Sequence, residues 1–295
     1  MFCRQLNHRG FDSARAFSFI FLRFQFPFLD SEFQMTYTHI PTTIPGPGIT
    51  EDEWNDEFKG CDCLVECTAE SGCTCLTTGI DNYSEDRRLL PTSSETPQLL
   101  IECSTNCACC LMEPSCRNRV VQNGIMKELE VNIKSYEKKF QLEILKVFST
   151  SDKGDGARTL QPIQPGEFVC EYASECIGEE EVQKRHMEFR DDNYTLTLKE
   201  HFGQKTIKTF LDPRLRGNIG RFLNHSCQPN CDVVVVRLGR MCPTAGIFAK
   251  REIQPGEELC YDYGRSELEG NDRKPCRCGT TSCRGFLPMS ATPNE

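Results

Sequence analysis

The side chains of this protein best suited to chemistry are its thiols and its phenols. Twenty of 295 residues are cysteine, and half of those stand in two runs, Cys61-x-Cys63-x3-Cys67-x5-Cys73-x-Cys75 and Cys103-x3-Cys107-x-Cys109-Cys110-x5-Cys116. Two readings compete: a disulfide framework suited to an oxidising compartment, and metal thiolate clusters suited to a reducing one. Cysteines one residue apart do not easily bridge to each other, but their thiolates converge readily on one metal ion or on neighbouring ions. With either Cys109 or Cys110 set aside, nine thiolates remain. Six as terminal ligands and three as bridges satisfy three tetrahedral zinc ions. Further on, Cys276-x-Cys278-x4-Cys283 offers three thiolates where a tetrahedral zinc needs four, and Cys227 is the natural fourth.

Two other stretches concentrate reactive side chains. Asn218 to Cys231 sets apolar anchors (Ile219, Phe222, Leu223) before Asn224, His225, Ser226 and Cys227, then turns at Gln228-Pro229-Asn230. By itself this also fits a short buried helix with His225 as a core histidine. In Glu258-Leu-Cys-Tyr-Asp-Tyr-Gly264, Tyr261 and Tyr263 are two residues apart. On a strand that spacing puts both rings on one face, to line a channel or to form a half-exposed edge pair. Gly154-Asp155-Gly156 alone is a turn signal.

The elements that must position these groups are mostly short strands. Phe140, Leu142 and Ile144 alternate, as do Phe168, Cys170 and Tyr172, then Tyr194, Leu196 and Leu198; Val233 to Val236 is a continuous apolar run. Gly and Pro punctuate them at residues 153–156, 164–166 and 254–256. One helix is predicted over Glu179 to Phe189, acidic in its first turn, with Val182, His186 and Phe189 on one face. Leu76 to Glu102 reads as a surface loop and residues 41–50, rich in Pro and Gly, as linker. Phe17 to Leu29 loosely suggests a targeting segment, but Arg23 interrupts the apolar run and no small-residue cleavage site follows, so a disordered start is the stronger reading. No run of eighteen apolar residues predicts a membrane span. A net charge of -9 argues against a duplex-DNA binder and favours a basic partner.

Arg221-Phe222-Leu223-Asn224-His225-Ser226-Cys227 resembles the first signature of SET-domain protein lysine methyltransferases, and Glu258 to Gly264 resembles the second. The two cysteine runs are similar to the pre-SET module of the suppressor-of-variegation class, and the closing trio with Arg284-Gly-Phe-Leu287 to its post-SET motif. The whole is closest to the SET portion of the SET-transposase fusion proteins. This resemblance implies a mainly β SET-domain fold: several small sheets of short strands and a knotted C-terminal segment. It divides the chain into a disordered tail (1–57), a pre-SET zinc cluster (58–120), a SET catalytic domain (121–265) and a post-SET zinc motif with tail (266–295). The implied cofactors are S-adenosyl-L-methionine and zinc, three ions in the pre-SET cluster and one in the post-SET site. The implied zinc ligands are Cys61, Cys63, Cys67, Cys73, Cys75, Cys103, Cys107, Cys109, Cys116, Cys227, Cys276, Cys278 and Cys283, with Cys109 and Cys110 still interchangeable. By matching position, Tyr263 is the catalytic tyrosine, Tyr261 the product-controlling aromatic, and Tyr172 and Phe286 complete the channel. Gly154, Asp155, Gly156, Tyr194, Arg221, Phe222, Asn224, His225, Tyr263 and Phe286 would meet the cofactor. The chain departs from the pattern at Asp155, where the family has an aromatic and where a carboxylate would oppose the cofactor's own, and at Ser174, which replaces a glycine in Glu171-Tyr-Ala-Ser-Glu175. Cys3, Cys170, Cys176, Cys231, Cys242, Cys260 and whichever of Cys109 or Cys110 is spare read as ordinary thiols.

The implied activity is methylation of a lysine on a histone H3 tail or nucleosome, in the nucleus and on the chromosome, with Tyr261 favouring mono- or dimethyl product. The cysteine array points to the ninth residue of H3 and the fusion-protein likeness to the thirty-sixth. A SET scaffold that binds histone tails without turnover is the alternative that Asp155 and Ser174 keep open.

Overall fold

The computed structural model describes residues 38–91, 99–111, 116–124, 145–150, 152–189, 194–202, 204–264 and 274–288. In chain order the elements are β1 (Thr38–His39), β2 (Ile44–Pro45), a one-turn helix α1 (Glu51–Trp54), β3 (Leu100–Ile101), β4 (Leu145–Ser149), β5 (Asp155–Thr159), β6 (Phe168–Glu171), β7 (Glu175–Ile177), helix α2 (Glu179–Glu188), β8 (Leu196–Phe202), β9 (Lys205–Asp212), β10 (Arg216–Gly217), β11 (Asn224–His225), β12 (Cys231–Arg237), β13 (Thr244–Ala249) and β14 (Glu258–Tyr261). Three four-stranded sheets result, in the orders β11-β14-β5-β4, β3-β12-β13-β6 and β2-β7-β9-β8, with β1 and β10 as a separate ribbon. The mainly β architecture matches the sequence reading.

Burial explains which strands are central. All six residues of β13 are buried, flanked by β12 and β6, as a strand covered on both faces must be. The main core joins Val169, Tyr172, Leu211, Leu223, Ile247 and Tyr261, so two of the reactive tyrosines are core residues as well. Helix α2 keeps its acidic first turn and buries Val182 and Arg185; the buried face turns through Arg185, not His186. Arg185 is held by Glu181 (2.9 Å), Glu175 (3.0 Å) and Asp212 (3.4 Å), which fastens the helix to β7 and β9.

Residues 41–50 are not a linker. Ile44 and Pro45 pair in parallel with Glu175 and Cys176, the Thr43 amide donates to the buried Glu171 carboxylate at 2.9 Å, and Thr50 closes a capping box with Glu53 on α1. The disordered tail expected through residue 57 therefore does not extend over residues 38–57. Pro and Gly signal breaks in local pairing and carry no information about a partner strand some 130 positions away. Nor is Leu76 to Glu102 only a surface loop: Tyr83 is buried against Phe248 and donates to Glu102 at 2.6 Å, and Leu100–Ile101 pair with β12. The alternation at Phe140, Leu142 and Ile144 and the apolar stretch Phe17 to Leu29 lie outside the described residues.

Candidate active site and thiolate clusters

One sheet gathers the three motifs. Strand β11 runs parallel to β14 with Asn224 opposite Cys260 and His225 opposite Tyr261, and β14 runs antiparallel to β5, whose first residues are Asp155 and Gly156. Asn218 brings in β6: its side-chain oxygen caps the 3-10 turn Ile219–Phe222 through Gly220 N at 2.9 Å, while its Nδ2 donates to Glu171 O at 2.8 Å. A Cβ at Gly220 would stand 2.9 Å from that same Glu171 carbonyl, so only glycine allows this approach.

Three tyrosines meet here. Tyr172 and Tyr261 are buried with ring centroids 6.3 Å apart, edge to face, and Tyr261 lies 4.7 Å from Tyr263. Tyr263 sits two residues past the end of β14 and keeps 41% of its surface, yet its hydroxyl donates to Leu223 O at 2.8 Å. Tyr172 donates its hydroxyl proton to Tyr194 O at 2.7 Å. Burial pushes all three phenols above their ordinary range, so the cluster is uncharged at neutral pH.

His225 links the tyrosines to the closing thiolates. Its Nδ1 accepts from Tyr263 N at 3.2 Å, and the ring stacks 5.3 Å from that of Tyr263. Burial lowers its pKa, Asp262 opposing and Arg284 reinforcing. The neutral ring therefore carries its proton on Nε2, which faces Cys227 Sγ at 3.4 Å.

Gly154 adopts φ +75° with open space beside it, whereas a Cβ on Gly156 would stand 3.1 Å from Asn224, Glu258 and Thr150. Asp155 between them has its carbonyl held by Asn224 Nδ2 (3.2 Å) and its carboxylate by the Ser149 hydroxyl (3.0 Å). Alternation along β5 turns that carboxylate to the face opposite Asn224 and Glu258. Ser174 needs no left-handed backbone, since among the described residues the one non-glycine with positive φ is Arg87, but its buried hydroxyl has no hydrogen-bond partner. The Arg221 guanidinium lies 4.7 Å over the Tyr194 ring and 5.3 Å over that of Phe222. Phe286 bridges to Pro275 and is 49% exposed.

The sulfur atoms of Cys227, Cys276, Cys278 and Cys283 all lie within 4.8 Å of one another. The fourth ligand comes from the central signature, 49 residues before Cys276. Four sulfurs about 2.3 Å from a tetrahedral zinc are about 3.8 Å apart; Cys227 to Cys276 is 3.9 Å. The same holds in the first array, at 3.8 Å for Cys61 to Cys67, 3.9 Å for Cys61 to Cys109 and 3.6 Å for Cys75 to Cys107. Three tetrads form there: Cys61, Cys103, Cys107 and Cys109; Cys61, Cys67, Cys73 and Cys103; Cys67, Cys103, Cys109 and Cys116. Cys61, Cys67 and Cys109 each belong to two tetrads and Cys103 to all three, while Cys110 belongs to none. Cys63 and Cys75 fall outside the tetrads, but Cys63 stands beside Cys73 and Cys61 and Cys75 beside Cys107. Hydrogen bonding from Cys103 draws Cys109 down to about 3 and Cys107 to about 5, whereas burial pushes Cys61 up. Crowded thiols cannot all ionise without a cation among them. Burial works against the charge of Arg119, yet Cys109 and its neighbours keep it raised and a nitrogen 3.9 Å from Cys109.

The residues that sequence reasoning missed are connectors. Lys153 pairs with Glu258, which accepts from Asn224 at 2.9 Å, and Arg284 donates to Asp262 (2.5 Å) and, through its amide, to Cys227 (3.3 Å), its guanidinium lying 3.3 Å from His225 Nε2 without a hydrogen bond, since both nitrogens are donors. Position was their only signal: Asp262 lies between the tyrosines and Arg284 follows the last cysteine.

Known proteins share this arrangement. Residues 154–264 match the SET domain model and residues 25–119 the Pre-SET motif model. A probable histone-lysine N-methyltransferase set-23 of Caenorhabditis briggsae is 61% identical over 262 residues, covering 88% of this chain and all of that one. The crystal structure of the methyltransferase domain of human histone-lysine N-methyltransferase SETMAR superposes with a TM-score of 0.71 at 37% identity, covering 89% of this chain and 93% of that one. KRYPTONITE, solved with mCHH DNA, an H3(1-15) peptide and SAH, gives 0.61 at 28% identity over 85% of this chain and 47% of that one.

Proposed function

The chain belongs to the SET-domain family of histone-lysine N-methyltransferases that carry a pre-SET motif, and on that premise we propose that it methylates a lysine of the histone H3 tail, using S-adenosyl-L-methionine and stopping at mono- or dimethyl product. The observation that carries the reading is the uncharged cluster of Tyr172, Tyr261 and Tyr263 joined through His225 to a four-thiolate site. H3 is favoured because KRYPTONITE was solved with an H3 peptide and because a chain of net charge -9 suits a basic tail.

S-adenosyl-L-methionine supplies an electrophilic methyl group on a sulfonium. Its holders would be the open backbone of Gly154 to Gly156, the segment Arg221, Phe222, Asn224 and His225, and Tyr194, with Phe286 from the closing segment. With the Asp155 carboxylate turned to the opposite face of β5, its negative charge does not oppose that binding.

What the chain's own residues must do is present a neutral lysine amine. At an unperturbed pKa of about 10.4, roughly one lysine in a few thousand is neutral at pH 7. Desolvation by the walls of Tyr172, Tyr261 and Tyr263 disfavours the ammonium, and phenols held neutral by burial offer it no counter-charge. The hydroxyl protons of Tyr172 and Tyr263 are committed to Tyr194 O and Leu223 O, so their oxygens are left as acceptors for amine N–H groups. The nitrogen lone pair then stays free and aimed, and fixed orientation supplies much of the acceleration. Three zinc ions would brace the first array, with Cys61, Cys67 and Cys109 as the bridging thiolates that two tetrads share. A fourth zinc would hold Cys227, Cys276, Cys278 and Cys283 together.

Incubation with labelled cofactor and recombinant H3 tests this. Label is expected on H3 with wild type and a loss of about two orders of magnitude or more with Tyr263→Phe. No label with wild type, or an undiminished rate in the variant, would overturn the assignment.

A further inference from the structure

Outside the thiolate clusters, one pair of cysteines among the described residues has its sulfurs in contact. Cys176, the middle residue of β7, is buried, and Cys242, just before β13, is half-buried and open to solvent. Their sulfurs are 3.4 Å apart although 66 positions separate them in the chain. Neither belongs to any group of three or more metal-ligating side chains among the described residues, so the pair lacks the further ligands a zinc ion would need. We propose that Cys176 and Cys242 form a redox-active dithiol, a modification site at which a low-molecular-weight disulfide such as glutathione disulfide converts both thiols to one cystine.

The surroundings assign the roles. Cys242 is held below its usual range, first by the hydrogen bond from Cys176 and then by Arg240 and Arg237, while that same contact and burial raise Cys176. Both cations are fixed in place: Arg240 lies 4.0 Å over the Trp54 ring of α1, and Arg237 pairs with Glu200. The more exposed Cys242 is therefore the attacking thiolate and Cys176 the resolving thiol. Cys242 Sγ bonds to one sulfur of the disulfide, breaking its S–S bond and releasing a thiolate. Cys176 gives its proton to that thiolate, and its sulfur displaces the second group from Cys242 as a thiolate, which takes up from water the proton that Cys242 released on ionising. The pair has lost two electrons and two protons; the disulfide has become two thiols.

The sulfurs need only close from 3.4 Å to about 2.0 Å. The bond would tie two sheets together, since β7 lies between β2 and β9 and β13 between β12 and β6. With the hydrogen bond from the Tyr172 amide to Ala245 O at 2.8 Å it would close a ring through residues 172–176 and 242–245.

The test treats zinc-loaded protein with glutathione disulfide, blocks free thiols with iodoacetamide and maps the peptides while zinc is measured. A peptide linking Cys176 to Cys242 at full zinc content, absent after reductant and in Cys242→Ser, is expected, together with a rise of several degrees in thermal midpoint that reductant reverses. Zinc content and the reduced midpoint of Cys242→Ser establish that the variant folds; Cys242→Ala serves should it not. Alkylation of both cysteines after oxidation, or a glutathione adduct that persists on Cys242 while Cys176 is alkylated, would overturn the proposal. The assay contains no methylation step, so its outcome is separate from that of the function proposed above.

Discussion

At the scale of the residue, the tyrosines make the sharpest predictions. Because burial holds all three phenols above their ordinary range, they keep their protons as pH rises and the neutral fraction of the free substrate lysine controls the rate. Log kcat/KM for a histone peptide should therefore climb with a slope of ~1 from about pH 7 to about pH 9.5; a downturn inside that window would mean a phenol of ordinary pKa. Tyr261 makes the second. Its buried ring packs edge to face against Tyr172, and its hydroxyl occupies volume there and can order a water beside the amine. In Tyr261→Phe that volume opens, and mass spectrometry of modified H3 should show product shifting towards trimethyl lysine, whereas an unchanged distribution would remove Tyr261 from product control. The identity of these side chains was legible in the sequence, since Tyr261 and Tyr263 stand two apart inside a signature. Their grouping with Tyr172 came from the family resemblance alone; residue spacing could not give it, because it depends on Asn218 reaching back to Glu171 across the chain. The direction of the Asp155 side chain was not legible for a related reason: the motif named the residue, and only strand β5 fixed that its carboxylate meets Ser149.

At the scale of the element, α2 is held by a charge set that hydrophobic periodicity could not reveal. Val182 was expected inside; Arg185 was not, yet its side chain is 3% exposed between Glu175 at 5% and Asp212 at 1%. Removing the guanidinium would strand two buried carboxylates. Arg185→Met should thus lower stability by about 3–5 kcal/mol, read as a shift in the urea midpoint with the slope unchanged. A double variant that also carries Glu175→Gln should recover part of that loss, because one uncompensated charge goes with it. The strands divide the same way. Longer runs were legible, β6 from period two and β12 from its continuous apolar stretch. The two-residue strands β2, β3 and β11 were not, since each exists through pairing with a remote partner, and residues 41–50 looked like linker for that reason.

At the scale of the whole molecule, the cysteine spacing was the most readable feature because ligation is a local constraint repeated along the chain: seven of the nine cysteines expected in the first array and all four of the closing site fall in tetrads. The two kinds of site differ in shielding. In the first array every tetrad member is at most 4% exposed, whereas Cys227, Cys276 and Cys278 are half-buried and Cys283 is exposed. A chelator must reach a ligand before it can take the ion, so the closing zinc should leave first and the other three only as the pre-SET segment opens. That segment would then unfold, since its buried cluster consists of its cysteines with few apolar residues beyond Leu76, Ile101, Phe58 and Leu99. The closing site acts on chemistry instead: Cys227 neighbours His225, which takes the Tyr263 amide, and Arg284 joins Cys227 to Asp262. Timed chelation, with released zinc, methylation and far-ultraviolet circular dichroism followed together, should resolve two phases. About one quarter of the zinc is expected in the first, with activity lost and the spectrum unchanged; the remainder is expected in the second, with loss of structure. A single phase in which zinc, activity and structure vanish together would show that the closing thiolates are as much a part of the folded core as the first array.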